Sequence, residues 1–125
     1  MALQNSGSTA VQSLNPLARV VGGSPYNGTG VDTKARQWVD VKFDMGALTD
    51  GTHTPKIQES DDNSTFNDVA AGDQIGTLTA LVANTAQTVR YKGGKRYVRP
   101  VITSAGTTTG AIIGASVTLG PSNEG

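Results

Sequence analysis

The residues of this chain that could do chemistry are few and widely spaced. His53 is the only histidine, and it sits in Asp50-Gly-Thr-His, which reads as a turn. Nucleophilic catalysis needs a serine in a shaped context such as Gly-x-Ser-x-Gly, and the chain has none, so His53 is expected to be a solvated turn residue. Asp61, Asp62 and Asn63 could offer oxygens to calcium. The EF-hand spacing is absent, and a turn held by Asx hydrogen bonds accounts for these residues better. Asp40, Asp44, Glu59 and Asp68 could supply a carboxylate pair for glycoside chemistry, but no apolar pocket that would raise one pKa is apparent. These readings predict no enzyme, no cofactor and no metal.

The basic residues are more suggestive. Arg90, Lys92, Lys95, Arg96 and Arg99 are five of the ten basic residues, packed into ten positions and interleaved with Tyr91 and Tyr97. Charge with interleaved aromatics is one way to hold single-stranded nucleic acid. A second pattern favours another use. Residues 40–73 hold eight of the ten acidic residues and only Lys42 and Lys56, a net of −6. Segregated charge on a neutral chain suits pairing with a copy of itself or with a charged protein surface, and the alternative is a fold that brings the two segments together within one molecule.

The elements that must position these groups read as strands. Gln37 to Gly46 alternates, with Val39, Val41, Phe43 and Met45 on one face and Trp38, Asp40, Lys42 and Asp44 on the other. Trp38 is expected as a lid over the core edge. Thr54 to Ser60 and Thr65 to Val69 form a hairpin around Asp61-Asp-Asn-Ser. Gly93-Gly94 predicts a two-residue hairpin turn pairing Lys92 with Lys95 and Tyr91 with Arg96, with Pro100 at an edge or bulge. Ala111 to Gly120 alternates as a central or closing strand. Leu14 to Gly22 is a first strand or an extended segment, and 70–84 is strand and loop. The expected organisation is a flexible arm over 1–13, one β-sandwich domain over 14–120 and a tail over 121–125.

Composition sets outer limits. A chain of 125 residues makes one domain the default. It has no cysteine, so no disulfide braces it. Zero net charge gives no bulk attraction to nucleic acid or membrane. No basic-then-apolar leader is visible near Met1, and no apolar run approaches the length of a membrane span. Hydrophobic residues are only 36% of the chain and aromatics 5%, a thin core whose stability is expected to be partly borrowed from assembly.

Two linked motifs carry a resemblance. Asp50-Gly-Thr-His-Thr-Pro-Lys-Ile-Gln-Glu-Ser-Asp-Asp62 is followed by Tyr91-Lys-Gly-Gly-Lys-Arg-Tyr-Val-Arg99. This resembles the small β-structured virion proteins of tailed bacteriophages, over about residues 50–120, with Asn63 standing where glycine is frequent. The segment Ile57 to Val69 and Arg96-Tyr-Val-Arg99 are also similar to discoidin-type jelly rolls. The resemblance implies an all-β, two-sheet, jelly-roll-like sandwich. It implies a head decoration (cement) protein on the outer capsid surface of a virion, made in the host bacterial cytoplasm. Its partners would be the major capsid protein and further copies of itself, as a trimer or dimer, with no nucleic acid and no membrane. The expected partner-binding residues are Leu3, Leu14, Tyr26, Trp38, Arg90, Lys92, Lys95, Tyr97 and Arg99. A head–tail or tail component and a virion-surface carbohydrate-binding module, with Trp38, Tyr26 and Tyr97 as platform, are the alternatives.

Overall fold

The computed structural model describes residues 9–19, 25–34 and 36–121. Ten strands follow in chain order: β1 (Thr9–Arg19), β2 (Tyr26–Asn27), β3 (Val31–Asp32), β4 (Val39–Leu48), β5 (Thr52–Ser60), β6 (Asn67–Asp68), β7 (Gln74–Ile75), β8 (Thr85–Tyr91), β9 (Tyr97–Ala105) and β10 (Ala111–Leu119). The first sheet runs β1-β10-β4-β8-β7, and the second runs β2-β9-β5-β6 with β3 also on β9. All pairs are antiparallel. With β2 and β3 taken as one interrupted strand and β7 as an addition at the edge, two four-stranded sheets remain. Their connections are those of a jelly roll, which bears out the expected all-β sandwich.

Period-two alternation places the core between the sheets. On β4, Val39, Val41, Phe43 and Met45 are buried while Lys42 and Asp44 are exposed. On β10, Ala111, Ile113, Ala115, Val117 and Leu119 face the same space. Ile57 from β5 and Val98 and Ile102 from β9 close it from the second sheet. Each fully buried aliphatic side chain here contributes about 1.5–3 kcal/mol. Phe43 and Tyr91 are the only aromatic side chains in that buried cluster, so branched aliphatics fill most of it.

Several expectations need correcting. Gly93-Gly94 is not a hairpin turn: β8 pairs with β4 and β7, β9 pairs with β5, β2 and β3, and residues 92–96 cross between sheets. The pairs Lys92–Lys95 and Tyr91–Arg96 therefore do not form. Each strand has a longer partner in its own sheet, and a glycine pair fixes only the local bend. Pro100 lies in an interior strand, with the β5 ladder running through it at Ile57. The break falls on its other side. Its carbonyl accepts from Gly28 N at 2.8 Å, and β2 and β3 part there, so no strand partner needs the missing N–H. β1 begins at Thr9, so residues 9–13 belong to the sheet rather than to an arm, and residues 1–8 lie outside the described residues.

His53 is not solvated. It is 1% exposed and lies on β5 in phase with buried Pro55 and Ile57. Its Nε2 lies 3.1 Å from the Asp50 carbonyl and its Nδ1 lies 2.7 Å from Ser104 Oγ. A carbonyl can only accept, so Nε2 carries a proton, and the serine hydroxyl meets Nδ1. The Asp50 carboxylate in turn accepts from the backbone N–H groups of Gly110 (2.6 Å), Thr108 (2.9 Å) and Thr109 (3.2 Å). This node fastens the loops at one end of the sandwich.

Those donors, Gly110 first, hold the Asp50 carboxyl below the usual carboxylate range. Backbone N–H groups of Thr65 and Ser64 do the same for Asp62. A carboxylate with a lowered folded pKa lends stability above its unfolded value and loses it as pH falls through the folded value. Stability is therefore expected to decline as pH drops below about 4. In denaturant titrations, Asp50→Asn should show a shallower acid limb than the parent. Identical acid limbs would mean that the carboxylate does not brace the 108–110 turn.

Candidate functional site

The end of the sandwich opposite that node is built from three loops: 33–38, 61–66 and 92–96. Each is braced by hydrogen bonds. In the 61–66 loop, Asp62 Oδ1 accepts from Ser64 N and Thr65 N at 2.9 Å, and Ser60 Oγ accepts from Asp62 N and Asn63 N. Asn63 has φ +61°, a left-handed conformation that glycine takes freely and asparagine tolerates. In the 33–38 loop, Thr33 N bonds Arg96 O, Gln37 N bonds Pro121 O, and an Arg36 guanidinium N–H donates to Gly120 O at 3.0 Å.

Tyr91 links this end to the core. Its ring is buried, its hydroxyl donates to Glu59 Oε1 at 2.7 Å across the two sheets, and it accepts from Lys95 N at 3.1 Å. Burial, then the Glu59 carboxylate, pushes its phenol well above its ordinary range. Gly93 lies against the ring so closely that a Cβ there would overlap it. Tyr91→Phe keeps the packing and deletes both hydrogen bonds, so a loss of about 1 kcal/mol is expected in chemical denaturation. Amide exchange at Lys95 should rise more than at Val89. Unchanged exchange at Lys95 would show that the phenol does not hold the crossing loop.

Folding brings the acidic and basic segments together within one molecule. Arg90 forms a bidentate pair with Asp40 (2.7 and 3.1 Å), Arg96 one with Asp32 (3.1 and 2.8 Å), and Lys95 reaches Asp61 at 2.9 Å. Arg99 bonds Gln58 and stacks 4.0 Å over Phe66, and burial lowers its pKa. The segregation of charge along the sequence is thus largely cancelled in space. Lys92 is exposed and has no acidic partner among the described residues.

The residues singled out from sequence divide accordingly. Trp38, Arg90 and Lys92 meet in one groove of about 540 Å³ on the outer face of the first sheet, with Arg36, Ile75 and Gly93. Lys95 lines a neighbouring cleft that shares Thr33 and Gly93 with it. Tyr97 and Arg99 are half-buried on the outer face of the second sheet. Tyr26 packs against the core beside Ile102, so it does not join Trp38 and Tyr97 in one aromatic platform. The Trp38 indole is covered by the Arg90 guanidinium, 4.9 Å from its centroid, and by Gly120, in keeping with a lid. Leu14, expected at a contact surface, is instead 7% exposed in the core, where β1 closes the sandwich. Leu3 lies outside the described residues. Sequence reasoning missed Arg36 and Ile75 at the groove. Their separation from Arg90 along the chain conceals a proximity that only the sheet order creates.

No protein-family model matches this chain, and no curated protein matches it. Among solved structures, the crystal structure of the SPBc2 prophage-derived protein YomS is similar, with a TM-score of 0.58 and 18% identity over 90% of this chain and 91% of that one. The likeness is one of fold and spans the whole domain.

Proposed function

We propose that this chain is a structural protein of a tailed-phage virion, and that it acts as a capsid decoration (cement) protein. It would bind the outer capsid surface and hold neighbouring major capsid subunits together. The observation that carries this reading is the domain-wide fold likeness to a prophage-derived protein, found for a chain whose motifs resemble small virion proteins. The motif residues fit a mechanical role. Asp50 ties the 108–110 turn, Asp62 shapes the 61–66 loop, Tyr91 bridges the sheets and Arg96 pins Asp32. They hold loops in fixed shapes, which lowers the ordering cost when a surface docks.

A cement protein works by area and repetition. One interface of roughly 1,600 Å² holds modestly, and the same contact repeated across a shell resists rupture through multivalency. The test mixes purified protein with shells that lack it, followed by sedimentation and electron microscopy. Regular, saturable occupancy of the shell is expected. Rings formed by the isolated protein, or density at the tail vertex alone, would replace this reading with a head–tail or tail role.

A further inference from the structure

Among the described residues, the two sheets end in four edges, and three of them are blunt. β6, β7 and the β2–β3 pair are stubs of two residues each. Beside the stubs, the chain between β5 and β8 takes up open backbone of both strands. Val69 N donates to Ile57 O at 3.1 Å, Leu81 N donates to His53 O at 2.8 Å, and the Gln87 side chain bonds Thr79 N and O. The fourth edge is β1, eleven residues long. Its middle is guarded: Ser13 O accepts from Thr29 N at 3.1 Å, Leu14 O accepts from Gln12 Nε2 at 3.1 Å, and Pro16 has no N–H to offer. Ala10, Val11 and Gln12 pair with β10 on one side, and no described strand pairs with them on the other. Edge strands are ordinarily kept single by a charge, a proline or a bulge. No residue from Thr9 to Gln12 is charged or proline, and the bulge falls after Gln12. Val11 marks what is absent. It packs against the core yet is only half-buried, at the rim where the first sheet stops.

We propose that Ala10 to Gln12 pair antiparallel with the same residues of a second copy, so that the first sheet of one molecule runs on into that of the other. The register carries the choice of occupant. A two-fold axis normal to the sheet keeps each face on its own side, so a core-facing residue meets a core-facing residue. Centred on Val11, the axis sets Val11 against the partner's Val11, and exposed Ala10 against the partner's Gln12 on the outer face. Apolar meets apolar, and no charge opposes a like charge. Centring on Gln12 would draw in Ser13, whose carbonyl is already taken. Each copy has one such edge, so the pairing closes at two and leaves none bare. Exposed Asn27 and Thr29, at the edge of the second sheet beside Ser13, widen the contact. The seam is short, so the dimer should be weak, dissociating in roughly the micromolar range. The inference goes beyond the decoration reading and does not rest on it.

The experiment uses the full chain without shells. Sedimentation equilibrium from low micromolar to near-millimolar protein should show monomer passing into dimer. Val11→Lys sets two lysines face to face and should weaken the dimer at least about tenfold, as should Val11→Glu with two carboxylates. Circular dichroism checks that both variants fold. Mixed in equal amounts, they should restore a dimer, because residue 11 of one then meets the opposite charge at residue 11 of the other. The chain has no cysteine of its own. Directly opposed strand residues lie about 4.5–5.5 Å apart between Cα atoms, within disulfide reach. Val11→Cys should therefore oxidise to a linked dimer much faster than Lys42→Cys, exposed on β4 of the same sheet. It introduces no charge, so it serves even where the charged variants fail to fold. A chain that stays monomeric with no faster cross-linking, a dimer indifferent to Val11→Lys, or a trimer would overturn the proposal. A chain monomeric alone whose shell occupancy is lost with Val11→Lys would also overturn it, and would give the edge to a capsid strand. Dimerisation without shell occupancy would sink the decoration role and leave the dimer standing.

Discussion

Phe43→Ala is expected to lower the stability of this domain by about 3–5 kcal/mol, the largest loss available from one side chain here. Phe43 is fully buried at the middle of β4, a strand flanked on both sides by β10 and β8. Its ladder neighbours, Ala115 and Gln87, are anchored by their own hydrogen-bonded strands and cannot move in to fill the space. Most of the other large, fully buried side chains are valines and isoleucines, which are stiff at χ1 and adapt poorly to a void. Total stability for a domain of this size is about 5–15 kcal/mol, so the variant would lie near the limit of folding. The denaturant midpoint should fall with little change in slope, and Phe43→Leu should recover much of the loss. A cost below about 1 kcal/mol for the alanine variant would mean that the two sheets do not pack through this ring.

The second large effect is expected at His53. His53→Leu keeps most of the volume but removes the partner of the Asp50 carbonyl and one partner of the Ser104 hydroxyl. A buried polar group left unmatched costs about 1–3 kcal/mol. The decisive comparison is a double-mutant cycle with Ser104→Ala. Replacing both partners by apolar groups leaves fewer orphaned atoms, so the double variant should be more stable than the sum of the single losses predicts. A coupling of about 0.5–3 kcal/mol is expected. Strict additivity would mean that the 2.7 Å contact contributes nothing to holding β5 against β9.

How much of this was legible in the sequence depends on what each signal measures. Alternation on β4 and β10 exposed their buried faces because half of each strand faces the core and half faces solvent. The same reasoning, extended two residues back from Ile57 and Pro55, would have put His53 inside. Asp50-Gly51 is a strong turn signal that masks the first residues of β5, which follow it directly. Gly93-Gly94 misled for a different reason. Glycine reports that the chain bends, not which sheet it enters afterwards. The basic cluster was visible as composition, but its pairing with Asp32, Asp40 and Asp61 was not, since those partners arrive from other strands. Of the groove, Trp38, Arg90 and Lys92 were found from their types, whereas Arg36 and Ile75 required the β4-β8-β7 order.

The place of β10 has a consequence for how the domain is made. It lies between β1 and β4, and it is the last strand among the described residues. Thr9 pairs with Leu119, so the first sheet joins residues from nearly opposite ends of the described chain. Such non-local pairing costs loop-closure entropy before it is rewarded, and domains of this topology fold in milliseconds to seconds rather than microseconds. During synthesis, β1 and β4 wait with unpaired backbone facing one vacant slot. Until Ala111 to Leu119 leave the ribosome, that slot can accept a strand from a neighbouring nascent chain, so crowded polysomes favour strand exchange between copies. Refolding yield should therefore fall with protein concentration even though the finished domain encloses β10 between two of its own strands.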